Sequence, residues 1–285
     1  MTFQRFHTIL FFIFTLAFFA CSKSNQSGSS TPGPGATPDN LDYGDTVFYL
    51  STQNQDYIVY PKKLESGRYS AYPEGIDLDQ NTGAINVSKS ETGLKYHVSF
   101  IPAGRQDSAS INIIISGINF LDGFYKLTTA DSIAHPLYNT NAKNQMPGVG
   151  NGSQFDQGGS CNNNGCTVDV SNGQINLAQT VRNGVFGAVP ANNDRHEFDL
   201  NYSLNDNSHN AQNKIRIKLY YFETMNDVTQ EVYDIISSRE GTIIDSYFPM
   251  LASFPVTASN SRTSTLGVST KSASPRPPCI FIVSR

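Results

Sequence analysis

Three oxygen-bearing side chains at alternate positions, Asp77, Asp79 and Asn81, have the spacing best suited to chemistry in this sequence. Carboxylate and amide oxygens at this spacing can wrap around a hard cation such as calcium. The glycine of such a loop comes one position late, at Gly83, and Ser88 stands where a bidentate acid would complete the coordination shell. A calcium site is therefore one hypothesis, and solvated acids that flank a turn are the favoured interpretation. We predict no other cofactor.

A pair of cysteines, Cys161 and Cys166, encloses the short polar stretch Asn-Asn-Asn-Gly. In an oxidising compartment this flexible loop can close as a local disulfide. A zinc site is the alternative, but no histidine or further cysteine stands nearby at ligand spacing. Cys279 lies alone in an apolar segment, which favours a buried thiol over a reactive one.

Motifs for catalysis are scarce. The sequence has no Gly-x-Ser-x-Gly nucleophile elbow, and His196-Glu197 lacks the second histidine of a metallopeptidase helix. The histidines beyond the first few residues are scattered among predicted strands and loops: His97, His135, His196 and His209. The carboxylate pair of a glycosidase is spaced in three dimensions and has no sequence signature. An enzyme is therefore the less favoured class.

Residues 1–20 form a predicted signal peptide. Arg5 precedes an apolar run from Ile9 to Ala20, and a basic region followed by a short apolar region is typical of a secretory leader. The run is shorter than the roughly 20 residues that a membrane-spanning helix needs. We therefore expect residues 1–20 to direct export and to be absent from the mature protein.

The end of this leader, Ala20-Cys21-Ser22, resembles the signal of a Gram-negative bacterial lipoprotein, although Phe18 stands where such signals usually carry leucine. The resemblance implies that Cys21 receives lipid and becomes the mature N-terminus. Several acyl chains would hold the protein stably on a membrane. Ser22 is compatible with sorting to the outer membrane, on either its periplasmic face or the cell surface.

Residues 21–40 are rich in Ser, Gly, Pro and Thr and lack core-forming side chains, which predicts a disordered tether. The whole chain carries 24 acidic and 20 basic residues, a net charge of −4. This mild acidic excess argues against a nucleic-acid partner. Charged residues make up 15% of the chain, below the roughly 25% of average proteins, and amides and hydroxyls replace them, as in many exported β-rich proteins.

Residues 41–119 contain about seven short stretches of alternating apolar and polar residues, which predict a small antiparallel β-sandwich. Within them, Gly75-Ile-Asp-Leu-Asp-Gln-Asn-Thr-Gly-Ala-Ile85, followed by Gly93 and an alternating strand, resembles the Ig-like and cadherin-like repeats of bacterial surface proteins. The resemblance covers residues 73–116. It implies a spacer or adhesive module.

Residues 120–285 form a predicted β-rich domain with one amphipathic helix. Alternation predicts strands at Glu197–Leu204 and Asn213–Phe222. The helix runs from Thr224 to about Arg239, with a capping box between Thr224 and Asp227, and further strands are predicted at 242–248 and 279–283. Residues 139–165 are predicted to form a long loop. The predicted fold class is thus mainly β with a minor α+β part.

One pattern occurs twice. Residues 76–90 and 168–180 both run from an apolar-Asp-apolar triplet through a polar turn and a glycine to Ile-Asn and an apolar residue. This alignment pairs Asp77 with Asp169. We interpret the two stretches as copies of one hairpin-and-turn unit.

Two functions from different classes fit these features. The favoured one is a lipid-anchored envelope protein that binds or adheres without catalysis, with a protein or glycan ligand. The alternative is a secreted, glycan-directed hydrolase with its site in loops of 120–285. Sugar sites favour large aromatic faces, and the chain has no tryptophan. Four tyrosines on predicted strands could replace it or could simply pack across strands: Tyr125, Tyr202, Tyr220 and Tyr221.

Overall fold

The structure is a computed structural model that describes residues 40–52, 55–128, 132–238 and 277–285. The predicted signal peptide, Cys21, nearly all of the tether and the predicted strand at 242–248 lie outside the described residues. No helix in the described ranges is long and apolar enough to cross a membrane.

The described chain is mainly β, which confirms the predicted fold class. Seven strands precede residue 117: β1 Val47–Phe48, β2 Ile58–Val59, β3 Gly67–Tyr72, β4 Asp77–Leu78, β5 Ile85–Asn86, β6 Leu94–Pro102 and β7 Ala109–Ile115. Nine follow: β8 Ile118–Phe120, β9 Gly123–Lys126, β10 Ile133–Ala134, β11 Pro136–Tyr138, β12 Gln154–Phe155, β13 Ile175–Asn176, β14 Asp194–Ser203, β15 Gln212–Phe222 and β16 Cys279–Val283. We call β1 to β7 the N-terminal half and β8 to β16 the C-terminal half.

The N-terminal half contains two sheets, with strand orders β1-β7-β6-β3 and β2-β5-β4. The alternation in β6 places Tyr96, Val98 and Phe100 in a shared core with Ile85 and Ile113, because alternate residues of a strand face one side. The predicted antiparallel arrangement is wrong at one edge, where β1 pairs with β7 in parallel. Such an edge pairing is non-local and leaves no periodic signal in the sequence.

The C-terminal half is built on one larger sheet with the order β12-β14-β15-β16-β9. The long hairpin of β14 and β15 supplies its centre, with ten residue pairs in antiparallel register. One face of the sheet packs in a core that includes Leu200, Ile217 and Ile280. The other face is partly covered by helix α2, Gln230–Ser237, through Val232 and Phe281.

The predicted helix from Thr224 is wrong in its extent. The capping box of Thr224 and Asp227 is present, but it starts a single 3₁₀ turn, Met225–Asp227. The backbone then becomes extended at Val228 and Thr229, with ψ of 129° and 158°. β-branched residues disfavour helix continuation, so α2 begins afresh at Gln230.

The duplicated hairpin is present in both halves, with a different alignment from the predicted one. Gly83 donates its backbone N–H to the carbonyl of Asp79, and Gly173 donates in the same way to Asp169, both at 2.8 Å. Asp79, not Asp77, is therefore the counterpart of Asp169. The predicted alignment is wrong by two residues because it matched the apolar-Asp-apolar pattern and allowed the turns to differ in length.

The turn after each hairpin is held in the same way twice. Asn86 and Asn176 each accept the backbone N–H three residues later, at 3.3 and 2.8 Å. Ser90 and Thr180 each donate a hydroxyl hydrogen bond back to the carbonyl of that asparagine, at 2.7 and 2.8 Å. Capping by asparagine produces a 3₁₀ turn in the first copy and the short helix α1, Leu177–Arg182, in the second.

The correspondence extends to the strands. β2 pairs with β5, and β10 pairs with β13, in the same antiparallel register. A stacked aromatic pair links β3 to β6 through Tyr69 and Phe100, and β12 to β14 through Phe155 and Tyr202. The orders of the two larger sheets match as well, except that β16 is inserted between β15 and β9, where the N-terminal half pairs β7 directly with β1. Among the smaller sheets, β2-β5-β4 corresponds to β10-β13, and β11-β8 occurs in the C-terminal half alone among the described strands. The two halves are therefore variants of one architecture.

Tyr202 joins the halves. Its buried hydroxyl lies 3.1 Å from Thr92 Oγ1, accepts the backbone N–H of Ile118 at 3.2 Å and accepts Asn213 Nδ2 at 2.7 Å. A Cβ at Gly117 would lie 2.7 Å from this hydroxyl. The halves pack as one compact unit, and the division into separate domains at residue 119 stays a prediction.

Candidate functional site

A polar cleft lies where the C-terminal half departs from the architecture of the N-terminal half. In the N-terminal half, β3 pairs with β6 over six residues, ending with Tyr72 opposite His97. In the C-terminal half, β12 pairs with β14 over only two residues. The chain turns away at Asp156, whose φ of 50° lies in the left-handed region. A loop replaces the missing part of the strand.

The cleft between this loop, the end of α1 and β14 has a volume of about 1210 Å³. Its lining is dominated by groups that form hydrogen bonds: four asparagines, three charged residues, one histidine and one serine. The polar residues are Ser160, Asn162, Asn163, Asn164, Asn183, His196, Glu197, Asp199 and Arg216. The predicted loop at 139–165 therefore forms a wall of this cleft, although it also contains the unpredicted strand β12.

The carboxylate of Asp156 organises the loop wall. It is only 4% exposed and accepts the backbone N–H groups of Cys161 and Asn162 at 2.8 and 2.9 Å. It also accepts the side-chain amide of Asn162 at 2.8 Å. A buried carboxylate needs such donors, and here they fold the Asn-rich segment back against β14.

The same loop completes the edge of β14. Ser160 Oγ donates to the backbone carbonyl of Asp199, and Cys161 Sγ lies 3.6 Å from that oxygen. Asp199 lies three residues before Tyr202 of the stacked pair, and His97 lies three residues before Phe100. His97 therefore holds the equivalent position in the N-terminal half, where β3 lies beside it. Side chains of the loop thus replace a strand as hydrogen-bond partners, and their geometry leaves open space beside β14.

Compensated charges line the floor of the cleft. Arg216 Nε lies 2.8 Å from Asp199 Oδ1, and Lys214 Nζ lies 3.2 Å from Asp199 Oδ2. The hydrogen bond from Arg216, followed by that from Lys214, holds the pKa of Asp199 below its ordinary value. Glu197 pairs with Lys218 at 3.1 Å. Each lining carboxylate therefore has a cationic partner on β15.

The ring of His196 supplies a partly apolar surface. It meets the ring of Phe186 edge-on, with centroids 5.3 Å apart and planes at 84°, and it lies near the ring of Phe198. Val185 and Phe198 also line the cleft. From the sequence, His196 was counted among scattered histidines, because its contact with Phe186 joins separate parts of the chain.

The predicted calcium ligands, Asp77, Asp79 and Asn81, are not among the residues that line this cleft and belong to the first hairpin. Asp79 Oδ1 accepts the backbone N–H groups of Asn81 and Thr82 at 2.8 and 2.9 Å, and these bonds lower its pKa. Asp77 lies on β4. Among the described residues, no group of three or more His, Cys, Asp or Glu is arranged to hold a metal ion. Calcium binding here stays a prediction.

The structure brings Cys161 and Cys166 together. Both side chains are buried in the core of the C-terminal half as free thiols, and Cys166 donates its backbone N–H to the carbonyl of Cys161 at 3.1 Å. Their disulfide stays a prediction. Cys279 is buried in β16. It belongs to the core that lies between this face of the sheet and α2.

The tyrosines considered for sugar stacking, Tyr125, Tyr202, Tyr220 and Tyr221, are all buried. They pack within the sheets and so present no aromatic platform to a ligand. The sequence contained one signal for the cleft. The second hairpin copy is preceded by an Asn-rich insertion that the first copy lacks. Comparison of the two copies would have marked residues 157–165.

No protein-family model matches the sequence, and a comparison with curated proteins found no match. Among solved structures, Drosophila N-cadherin EC1-4 is similar with 12% identity and a TM-score of 0.21, covering 61% of this chain and 47% of that one. A SusE-like, surface-located polysaccharide-binding protein from the Bacteroides thetaiotaomicron heparin utilisation locus is similar with 10% identity and a TM-score of 0.22. That match covers 60% of this chain and 32% of the other. The chain therefore spans less than half of each, and scores this low transfer no function.

Proposed function

We propose that this chain is a lipid-anchored, non-catalytic binding protein of the cell envelope that holds a neutral, hydroxyl-rich ligand, an oligosaccharide, in the polar cleft. The observation that carries the proposal is the position of the cleft. Two halves share one architecture, and the C-terminal half gives up part of a sheet strand to make a cavity lined by asparagines. Such an insertion has no counterpart in the N-terminal half and is best explained by binding.

The lining favours a hydroxyl-rich ligand. An asparagine side chain carries both an acceptor oxygen and two amide donors. Those of Asn162 and Asn183 are engaged within the protein. Asn163 and Asn164, both exposed, are therefore the asparagines that suit the adjacent hydroxyl groups of a sugar. The side chains of Val185 and Phe198 and the ring of His196 supply apolar contact for the ring carbons. Ligand sites commonly combine such apolar surface with a few placed polar groups.

The charges favour a neutral ligand. Arg216 is engaged by Asp199, and Lys218 by Glu197. A sulfate or carboxylate on the ligand would have to compete with these carboxylates for the cations. Desolvating an anion without a dedicated partner is costly. An uncharged oligosaccharide avoids both costs.

The same charges support binding over hydrolysis. A general acid in glycoside cleavage needs a raised pKa so that it carries a proton at neutral pH. Arg216 and Lys214 lower the pKa of Asp199 instead, which keeps this carboxylate ionised. Asp199 is therefore poorly suited to act as a proton donor.

A panel of immobilised neutral and sulfated oligosaccharides, probed with the chain lacking residues 1–21, tests the proposal. We expect retention on neutral oligosaccharides and no release of reducing ends during the incubation. Selective retention on sulfated sugars would contradict the predicted ligand class. Steady release of reducing ends would instead support the hydrolase.

A further inference from the structure

One loop supplies both a wall of the cleft and a pair of buried thiols. Asn162, Asn163, Asn164 and Gly165 line the cleft, and they are the four residues enclosed by Cys161 and Cys166. Any bond between these two cysteines would therefore act directly on the ligand-binding wall.

The ends of the loop are already held next to each other. Cys166 donates its backbone N–H to the carbonyl of Cys161 at 3.1 Å, and Gly165 donates to Asn162 at the same distance. Both cysteine side chains point into one core. Burial in one core and this backbone contact keep the two cysteines close together in the fold.

The thiols are poorly suited to other chemistry. The hydrogen bond with Cys166, followed by burial, raises the pKa of Cys161, and reactive or metal-binding cysteines need the thiolate. No described group of three or more metal-binding side chains includes them. A disulfide avoids this obstacle if it forms before the loop is buried, while a thiolate is still accessible for exchange.

We propose that Cys161 and Cys166 form a disulfide in the exported protein, and that this bond fixes the asparagine wall of the cleft. The Sγ–Sγ bond replaces two S–H bonds. A disulfide-bearing oxidant accepts the two electrons and two protons by thiol–disulfide exchange and leaves as a dithiol. The first part of this inference rests on the proposed export but not on the ligand, and the second part rests on the proposed ligand site.

The physical effect is pre-organisation. A disulfide restricts the conformations of the loop it closes, and a rigid wall loses less conformational entropy when it binds a ligand. Asp156 anchors one end of the loop through backbone hydrogen bonds, and the disulfide would anchor the other end. The three asparagines between the cysteines would then present their side chains in one fixed arrangement.

Peptide mapping tests the bond itself. The full chain is exported with its own leader to an oxidising periplasm, purified in detergent, unfolded with a thiol-alkylating reagent present and digested with trypsin. Residues 144–182 contain both cysteines and no internal Lys or Arg. We expect this peptide unalkylated and lighter than the reduced peptide by two hydrogen atoms. Alkylation of both cysteines would overturn the proposal.

Hydrogen exchange tests the effect on the cleft wall and needs no ligand. The double variant Cys161→Ala/Cys166→Ala should exchange the backbone amides of residues 162–165 at least about tenfold faster than the oxidised chain, while those of β14 stay unchanged. The oxidised chain and the chain reduced after folding give the same comparison without substitution. Equal exchange in all three would overturn the role in fixing the wall, whatever the ligand proves to be.

Discussion

Asp199 and Arg216 face each other across β14 and β15, at the place where His97 and Asn112 face each other across β6 and β7. The first pair is joined at 2.8 Å between Oδ1 and Nε, and the second at 3.0 Å between Oδ1 and Nδ1. Both halves thus carry a polar cross-strand pair at one structural position. The C-terminal pair borders the cleft, at the place where the neighbouring strand is cut short.

The Asp199 ion pair makes stability depend on pH. A carboxyl whose pKa is lower in the folded than in the unfolded chain stabilises the fold above its unfolded pKa, about 3.9. That stability disappears as the pH falls through the folded pKa. Because both side chains are substantially exposed, we expect Asp199→Asn to lower the free energy of unfolding by only ~0.2–1 kcal/mol at pH 7. Urea unfolding of the two proteins should give the same value near pH 2, and a difference that persists there would contradict the assignment.

The hairpin glycines should be sensitive in both halves. A Cβ at Gly83 would lie 2.6 Å from the ring of Tyr69, and a Cβ at Gly173 would lie 2.6 Å from the ring of Phe155. Both residues have φ near +75° (73° and 77°). We expect Ala at either position to cost about 1–3 kcal/mol, measured by urea unfolding. Gly184→Ala is the matched control, since its φ is +80° and no atom lies near its Cβ; an equal loss there would show that the ring contacts do not matter.

The buried hydroxyl of Thr180 should stabilise α1. It donates to the carbonyl of Asn176 at 2.8 Å and accepts the backbone N–H of Thr167 at 3.0 Å. Thr180→Val keeps the shape and leaves both backbone groups without this partner, so we expect a loss of about 1–3 kcal/mol in the free energy of unfolding. Thr180→Ser should retain most of the stability. If Val and Ser destabilise equally, the hydrogen bonds are not the cause.

The inserted strand β16 should hold the C-terminal half together, because its two faces belong to different cores. Ile280 and Ile282 pack on one side, and Phe281 packs on the other, with its ring 4.9 Å from that of Tyr220. Phe281→Ala should cost about 3–5 kcal/mol in urea unfolding. Ser284→Ala, just beyond the strand, should change stability by less than about 0.5 kcal/mol. A loss for Phe281→Ala as small as the control would contradict this role.

Alternation in the sequence was enough to predict β6, β14 and β15, because long strands with one buried face repeat every two residues. Two-residue strands such as β10, β12 and β13 carry no such repeat. The helix α1 is only six residues long, and its Asn176 cap was interpreted as part of a hairpin. Residues 279–283 were expected to form a strand. Their place between β15 and β9 depends on parallel, non-local pairing that no local pattern encodes.

The inserted segment 157–165 could be marked from the sequence, but the cleft could not be placed, for a related reason. It arises from the absence of part of a strand beside Asp199, and from the approach of Asn163 and Asn183 from separate segments. Neither feature is periodic or close in sequence. The Cys161–Cys166 loop was recognised as a unit, but its contact with the edge of β14 through Ser160 was visible only in three dimensions.

Isothermal titration with the neutral oligosaccharide best retained in the panel tests the central claim most directly. The chain lacking residues 1–21 is compared with Arg216→Ala, which alters the floor of the cleft, and with Asn112→Ala, its counterpart in the N-terminal half. We predict that Arg216→Ala weakens binding at least about tenfold, or about 1.4 kcal/mol, and that Asn112→Ala binds like the unaltered chain. Equal affinities for all three proteins would contradict the assignment of the cleft as the ligand site.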